Sequence, residues 1–395
     1  MMDSMANFYL HLLEAWNGCS ASDMQLSDFS GGDIHEDTMG DDNDSSSAEV
    51  MCEDDGSFPG PHCTVWGGMS NTLVQSLLKG DVEQCIVCNE EVLVIEQCYN
   101  ASSGVILPDS SNSTALIQEQ PNASKGGDDI AKIANAANEN TKIALHCKSG
   151  QIIIADACVV TVPLGCLKSS VNGNGGIRFQ PTLSQEKIEG INALGVGNYK
   201  KVLLTFDSIF WPDQPLIGLI RTKTRITKSH STTAKHNNPQ RKKPPHMKNT
   251  FDIGNYLLLD NLWTRRNHDH DVPIIEAILV GKAAQNATSQ PDTVIRDTIL
   301  DFMQATMSNP PDDISKKCVA CHVTRWEEDV YSKGAYSCSS LGSLQRHFDA
   351  VQMSEWEDRL LFAGEATNVE YQGSVHAALL SGVKAAENIE ALGLK

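Results

Sequence analysis

The feature that most constrains the fold is an apolar strand near the carboxyl end that runs into a glycine, an acid and a helix of small residues. The strand is Leu361–Ala363, Gly364 and Glu365 follow it, and the predicted helix spans Ser374–Leu392. Glycine lets a ligand approach the backbone, and the first N–H groups of a helix favour negative charge. The pattern predicts a strand-turn-helix unit with an anion-binding end. An ordinary amphipathic helix with Ser374 as its N-cap is the structural alternative.

One face of this predicted helix is slim, because small residues recur on it at helical spacing. These residues are Ala377, Ala378, Ser381, Gly382, Ala385 and Ala386. Such a face packs closely on a sheet or on a cofactor, and the sequence leaves both possibilities open.

Length and composition limit the class of protein. A chain of 395 residues exceeds one ordinary domain and is long enough to enclose a cofactor. We find no run of about 18 apolar residues, so we expect no bilayer span. The amino terminus lacks a basic region and a cleavage site, so we expect no export and reduced cysteines. A net charge of −19 favours a cationic ligand and disfavours nucleic acid or an anionic membrane as a partner.

Charge is segregated into two blocks along the chain. Residues 28–55 hold eleven Asp or Glu and no Lys or Arg, whereas residues 221–248 hold nine Lys or Arg and no acid. Like-charge runs repel one another, so both blocks are predicted to be solvated loops. The polar stretch 100–140 is predicted to be a surface insertion.

The remaining pattern mixes hairpins with helices. Ser149-Gly150 predicts a turn between two strands, Lys201–Phe206 and Pro273–Val280 read as strands, and Thr293–Met307 reads as an amphipathic helix. No internal period is found. This mixture predicts a mixed α/β (α+β) enzyme fold.

The carboxyl-terminal string resembles the second flavin-binding motif of the flavin amine oxidase superfamily, which includes polyamine oxidases and lysine-specific histone demethylases. Three further segments follow in the family's order. Ala155–Lys168 resembles the strand that re-enters the flavin domain, Leu194–Val202 the segment with the active-site lysine, and Trp326–Tyr336 the aromatic stretch that walls the flavin. The resemblance covers most of residues 50–392 apart from the insertions, and it is closest to histone demethylases and polyamine oxidases.

The resemblance implies a partial flavin amine oxidase fold, in which an FAD-binding sheet carries an inserted substrate-binding domain. We find no G-x-G-x-x-G, so the N-terminal βαβ unit is expected to be absent, through a truncated gene model or, as the less favoured alternative, through loss. The expected organisation has four parts. They are 1–80 (start of the substrate-binding region with the acidic loop), 81–168 (FAD-domain strands with the insertion 100–140), 169–320 (substrate-binding domain with a basic insertion at 221–250) and 321–395 (C-terminal FAD-binding segment).

The implied activity is FAD-dependent oxidation of a methylated histone lysine or a polyamine, with oxygen as acceptor and imine and hydrogen peroxide as products. The chemistry belongs to the cofactor, and the protein orients it. The alternative is an inactive, amine-oxidase-like protein that binds basic tails through its acidic face. The sequence names no corepressor partner. Arg241–Pro245 resembles a nuclear localisation signal, so the nucleus is the expected location and the cytoplasm is the alternative.

The resemblance also assigns site residues. Lys201 is the expected catalytic lysine, holding a water near the flavin, although Lys200 beside it leaves the register open and a solvent-facing lysine is the alternative. Expected cofactor contacts are Val92, Thr161, Pro163, Trp326, Tyr331, Tyr336, Gly364, Glu365, Ser374 and Val375. Expected substrate contacts are Glu53, Asp54, Asp55, His62, Tyr336 and Tyr371. Tyrosine ring faces attract cations, and either tyrosine is equally acceptable as core.

Two cysteine patterns resemble metal motifs, and we expect neither to be one. Cys318-Val-Ala-Cys321-His322 matches a haem-attachment spacing, but it lies in a predicted strand. Cys85 and Cys88 are far from it in sequence and lie in an apolar segment, which disfavours a shared zinc site. No metal is expected.

Overall fold

A computed structural model describes residues 85–101, 104–106, 141–221, 250–262 and 273–393, together with residues 77, 78 and 82. The predicted acidic and basic blocks fall outside these ranges almost entirely, as do Glu53, Asp54, Asp55, His62 and Arg241–Pro245. No helix in the described part of the chain is long and apolar enough to cross a membrane.

The described residues form both strands and helices. The strands are β1 (Val92–Ala101), β2 (Gly104–Ile106), β3 (Thr141–Cys147), β4 (Ile152–Ala155), β5 (Cys158–Val160), β6 (Arg178–Gln180), β7 (Gly195–Val196), β8 (Tyr199–Phe206), β9 (Leu216–Ile220), β10 (Tyr256–Asp260), β11 (Ile274–Val280), β12 (Cys318–Val323), β13 (Ser337–Cys338) and β14 (Leu360–Phe362). The α-helices are α1 (Leu164–Val171), α2 (Gln185–Ala193), α3 (Gly281–Thr288), α4 (Asp292–Thr306), α5 (Gln345–Gln352) and α6 (Val375–Ala391). The predicted mixed α/β class is confirmed.

The first sheet has the order β2-β1-β3-β4, and β6 pairs with β1 in parallel. The predicted turn at Ser149-Gly150 joins β3 to β4, and Gly150 has a φ of +91°, a backbone conformation that suits glycine. The sequence predicts one long strand after this turn. The structure instead divides it at Asp156 and Ala157, so β4 stays with β3 while β5 enters another sheet.

The second sheet is antiparallel with the order β12-β8-β11-β10-β9. Side chains alternate between its faces, and one face packs on α3 and α4. Val202, Leu204 and Phe206 of β8 form the main core there, together with Ile299 and Phe302 of α4. The other face, which we call the Tyr199 face, carries a smaller apolar cluster of Tyr199, Leu258, Ile278 and Val280.

A second core surrounds the parallel pair β5 and β14. Val160 and Phe362 pack there with Ile191 of α2 and Val351 of α5. Lys187 of α2 is buried in this region, where its Nζ donates to the Val351 carbonyl at 2.9 Å and also to the Met353 carbonyl at the end of α5. Residues far apart in sequence therefore meet around β5 and β14. The expected four-part division of the chain stays a prediction.

Candidate functional site

The site begins where two parallel strands end together. Val160 of β5 lies opposite Phe362 of β14, and the Ala363 N–H donates to the Val160 carbonyl at 3.0 Å. Thr161 and Pro163 therefore leave the pair at the same edge as Gly364 and Glu365. In α/β proteins, ligands bind at this edge, beyond the carboxyl ends of parallel strands.

Gly364 shapes the backbone at this edge. Its φ of +139° is rarely adopted by other residues, and no atom lies within 4 Å of the position that a Cβ would take. Its N–H donates to the Ser381 Oγ of α6 at 2.9 Å. The buried side of α6 is formed by Ala377, Ser381 and Ala385, whereas the other three residues of the predicted slim face, Ala378, Gly382 and Ala386, are exposed. The glycine is thus held from one side and open on the other.

Glu365 joins the strand end to two other segments. One carboxylate oxygen accepts the Ser337 backbone N–H at 3.0 Å, and the other accepts the Gly373 N–H at 2.9 Å and the Ser337 hydroxyl. Ser337 begins β13, and Gly373 precedes α6. Both oxygens are thus used within the protein, and a direct contact from Glu365 to a cofactor stays a prediction.

The amino terminus of α6 is capped as the sequence predicts. The Ser374 Oγ accepts the Ala377 N–H at 3.1 Å and donates to the Tyr371 carbonyl at 2.6 Å. Val375 begins the helix and is half exposed. The positive end of the helix dipole therefore lies in the same short segment as Gly373. The hydrogen bond from Gly373 to Glu365 holds this segment beside the strand edge.

Lys200 and Lys201 lie on opposite faces of β8. Lys200 has no exposed side-chain surface, and its ammonium is ion-paired with Glu327. Lys201 is on the Tyr199 face with 47% of its side chain exposed, and its Nζ lies 3.1 Å from the Glu276 Oε1. Of these two lysines, Lys201 is the one that reaches solvent. Its catalytic role stays a prediction.

An aromatic pair links the Tyr199 face to the segment before α6. The ring centroids of Tyr199 and Tyr336 are 6.1 Å apart, at an interplanar angle of 48°. The Tyr336 ring also lies against Gly373, where an added Cβ would come within 3.1 Å of it. Burial, and then the charges of Glu276 and Asp260, raise the pKa of the Tyr199 phenol. The Tyr199 phenol therefore stays protonated, and Tyr199 shares its strand face with Lys201.

The segment that contains Trp326 and Tyr331 packs on the start of α1. Gly165 follows Leu164 there, and a Cβ on Gly165 would lie only 2.4 Å from the Lys333 carbonyl oxygen. The segment therefore runs close to Pro163, which directly precedes α1. Trp326 and Tyr331 are 46% and 69% exposed, so these rings are available to a ligand.

The structure therefore brings most of the predicted site together and leaves some residues apart. Thr161, Pro163, Gly364, Glu365, Ser374, Val375, Tyr336, Trp326, Tyr331 and Lys201 lie on the connected segments described above. Tyr371 contributes its carbonyl to the Ser374 cap. Val92 begins β1 in the first sheet and packs on the second core. The roles of all these residues stay predictions.

Sequence reasoning missed three residues of the Tyr199 face. Glu276 is buried in an otherwise apolar strand, Asp260 lies opposite it on β10, and Tyr199 lies two residues before Lys201. Two signals point to them. An acid within the apolar run Ile274–Val280 needs a partner, and period-two alternation puts Tyr199 on the same face as Lys201.

Cysteine and histidine form no metal centre in the part of the chain that the structure describes. No group of three His, Cys, Asp or Glu residues is placed there to hold a metal ion, and the cysteines are free thiols. Burial raises the pKa of the Cys321 thiol to about 12, so this thiol stays protonated.

Comparisons with known proteins agree with this geometry. The sequence model of the family described as flavin containing amine oxidoreductase matches residues 102–390. Polyamine oxidase 2 of Arabidopsis thaliana is 29% identical over 66% of this chain and 44% of its own length. Lysine-specific histone demethylase 1 homolog 3 of Oryza sativa subsp. indica is 29% identical over 67% of this chain and 27% of its own length. The chain thus spans less than half of these curated relatives.

A solved structure of putrescine oxidase, a variant from a structure-based redesign of cofactor binding, has a similar fold. Its TM-score is 0.52 at 13% sequence identity, over 82% of this chain and 53% of that chain. The parallel strand edge, the open glycine and the helix end fit an α/β oxidoreductase. The family match makes the classification specific: this chain belongs to the flavin-containing amine oxidoreductases.

The cofactor of this family is FAD, and the residues present fit its ring system. A ligand can approach the backbone of Gly364 closely, because no atom lies within 4 Å of the position of a Cβ there. The end of α6 provides a positive dipole for the negative charge that a reduced flavin carries. Trp326 and Tyr331 provide exposed rings.

Proposed function

We propose that this chain supplies the flavin-facing and substrate-facing part of an amine oxidase that acts on a cationic amine, either a polyamine or a methylated histone lysine. Oxygen is the acceptor, and an imine and hydrogen peroxide are the products. FAD, when bound, supplies the redox chemistry. The chain's own residues position the flavin ring system, surround the amine and exclude bulk water from the amine.

One observation carries this proposal. The strand edge at Thr161 and Gly364 is connected through Glu365 and Gly373 to the ring pair Tyr199 and Tyr336, and Tyr199 shares a strand face with Lys201. A strand edge that suits a flavin, an aromatic pair that attracts cations and an exposed lysine together support oxidation of a cationic amine. The names of the relatives support both substrate classes and do not separate them.

The test is a titration of the purified 395-residue chain with FAD, followed under anaerobic conditions by spermidine or by a dimethyl-lysine histone peptide. We expect flavin fluorescence to change on binding, the visible band to bleach with one amine, and peroxide to form when oxygen is admitted. Failure to bind FAD, or a bound flavin that neither amine bleaches, would overturn the proposal. Glu91→Gln is the control variant and should behave like the wild type, because Glu91 pairs with Lys148 on the surface of the first sheet.

A binding protein without catalysis is the second candidate, and the net charge of −19 supports it. This protein would hold basic tails by long-range attraction, which salt screens. We expect its affinity for an unmodified histone peptide to fall steeply with ionic strength, as measured by fluorescence anisotropy. Binding that salt leaves unchanged would exclude it. The expected nuclear location is part of both proposals, and imaging of the tagged chain in cells tests it.

A further inference from the structure

Glu276 is the starting point, because it is an acid buried within an apolar strand. Its side chain is 7% exposed, and its neighbours along β11 are Ile275 and Ala277. An ionised carboxylate at such a depth is strongly unfavourable unless a partner of opposite charge and hydrogen bonds compensate for lost water. A residue kept in this position therefore needs a specific partner.

The partner is Lys201 on the neighbouring strand. In the sheet register, Lys201 lies opposite Ile278 and Leu203 lies opposite Glu276. Lys201 and Glu276 are therefore diagonal neighbours on the same face, within reach of long side chains. The Nζ of Lys201 lies 3.1 Å from the Glu276 Oε1. The contact thus follows from strand register and does not depend on a flexible loop.

The backbone of Lys201 is fixed independently. Its N–H donates to the Thr324 Oγ1 at 2.9 Å, and its carbonyl accepts the Thr324 N–H at 3.0 Å. A four-carbon side chain that starts from this fixed backbone still has several rotamers, and Glu276 selects the one that keeps the ammonium on the Tyr199 face. The entropy of ordering the side chain is then lost on folding and not during the reaction.

Lys200 provides an internal comparison. It uses a different carboxylate, Glu327, on the opposite face of β8, and it is fully buried. Each lysine thus has its own acid. The Lys201 side chain is half exposed to solvent, while the buried Glu276 contacts its Nζ.

We propose that Glu276 is a positioning residue for Lys201, holding its ammonium at the fixed point on the Tyr199 face from which it serves the amine oxidation. This inference rests on the proposed function for its use in the reaction. The ion-pair geometry itself does not depend on that function, so the two can fail separately.

The deciding experiment measures acetylation of Lys201 in the full chain by N-hydroxysuccinimidyl acetate, with fragment ions that distinguish Lys201 from Lys200. The reagent attacks a free amine, so the ion pair slows it. We expect Glu276→Gln to raise the rate at Lys201 by about threefold or more, and Glu276→Asp to give a smaller increase. Circular dichroism checks the folding of each variant. Equal rates in the wild type and in a folded Glu276→Gln, or in a folded Glu276→Asp if Glu276→Gln does not fold, would overturn the inference.

A matched control uses the surface pair of Lys148 and Glu91, whose charged atoms are 2.7 Å apart. Glu91→Gln should raise labelling of Lys148 and leave Lys201 unchanged. A rise at Lys201 in this variant would show a general effect of charge and would contradict a specific role for Glu276.

A second measurement connects the pair to turnover. If Glu276 acts through Lys201, then Glu276→Gln and Lys201→Met should impair the same flavin half-reaction, and the double variant should be no slower than Lys201→Met. Independent, additive losses would overturn the positioning role. Wild-type protein that oxidises no amine would overturn the proposed function alone, because the labelling result still decides whether Glu276 holds Lys201.

Discussion

The N–H of Gly364 donates a hydrogen bond to the Oγ of Ser381 at 2.9 Å, and the Ser381 hydroxyl is directed at the carbonyls of Ala378 and Gly364. Ser381 is 4% exposed. One hydroxyl thus joins the helix α6 to the strand end where the flavin is expected. It keeps the distance between the two elements small, because a larger residue would separate them.

Removal of this hydroxyl should leave the partly buried N–H of Gly364 without its partner. We expect Ser381→Ala to lower the free energy of unfolding by about 0.5–1.5 kcal/mol. Urea denaturation monitored by circular dichroism measures the change. Ser339→Ala, at a partly buried serine whose hydroxyl contacts Gln372 at 3.2 Å, is the control and should cost less. Equal losses in the two variants would contradict a special role for the Ser381 bond.

Substitution of Gly364 should also lower the free energy of unfolding, but for a different reason. At a φ of +139°, Gly364→Ala strains the backbone, which costs about 1–3 kcal/mol, even though the Cβ has open space around it. The new methyl group also occupies the space expected for the flavin, so FAD affinity should fall as well. Thermal unfolding and FAD titration measure the two effects.

The control for Gly364 is another glycine with open space around it. Gly382 lies inside α6, and no atom lies within 4 Å of the position that its Cβ would take. Gly382→Ala should therefore stabilise the helix by about 0.5–1 kcal/mol. If Gly364→Ala and Gly382→Ala shifted the midpoint of thermal unfolding in the same direction, backbone strain at Gly364 would not explain the effect of Gly364→Ala.

Lys187 should make stability depend on pH. Burial, opposed in part by Glu355, lowers the pKa of its ammonium to about 7 from an ordinary value of 10.5. Between these two values the unfolded chain binds a proton that the folded protein does not. Stability therefore rises with pH across this window, by at most about 1.4 kcal/mol per pH unit from this group.

The measurement for Lys187 compares slopes. Urea unfolding of the wild type and of Lys187→Met is followed across the window between the folded and unfolded pKa values, from about 7 to 10.5. Subtracting the free energy of unfolding of Lys187→Met from that of the wild type at each pH isolates Lys187 from other titrating groups. We expect this difference in free energy to change steadily with pH. A difference that is the same at every pH would show that Lys187 keeps its proton in the folded protein.

The buried pair of Lys200 and Glu327 should respond strongly to loss of one partner. Lys200→Met leaves the Glu327 carboxylate without its cation in a largely buried position, and we expect a loss of about 3–5 kcal/mol. The double variant with Glu327→Gln should recover part of this loss. By contrast, Lys148→Met at the exposed pair should cost about 1 kcal/mol or less. Chemical denaturation measures the free energy of unfolding of each variant. Similar losses at the two pairs would contradict the burial of the pair of Lys200 and Glu327.

Local sequence pattern was sufficient for elements whose signal is strong. The alternation in β8 and the helical period of Thr293–Met307 predicted the elements found at Tyr199–Phe206 and Asp292–Thr306. The Ser374 cap of α6 was also predicted correctly. These features depend on residues a few positions apart, so the sequence contains the whole signal.

Sheet partners were not predictable in the same way. Residues 151–162 read as one strand because all are compatible with β structure, but Cys158–Val160 pairs with Leu360–Phe362, about two hundred positions later. The same limit applies to Glu276, whose contact with Lys201 arises only from cross-strand register. Resemblance supplied Lys201, whereas the pairing of strands was needed to identify Glu276 as its partner.

The two adjacent lysines of β8 have a consequence for how this sheet assembles. A slip of β8 by one residue would exchange the faces of Lys200 and Lys201. One lysine would then take the position of the other, and either Glu327 or Glu276 would be left without its cation. The two ion pairs therefore penalise a one-residue misalignment of β8 in either direction, because a largely buried acid loses its lysine in each case. An insertion or deletion of one residue within β8 would be far more damaging than any single substitution there.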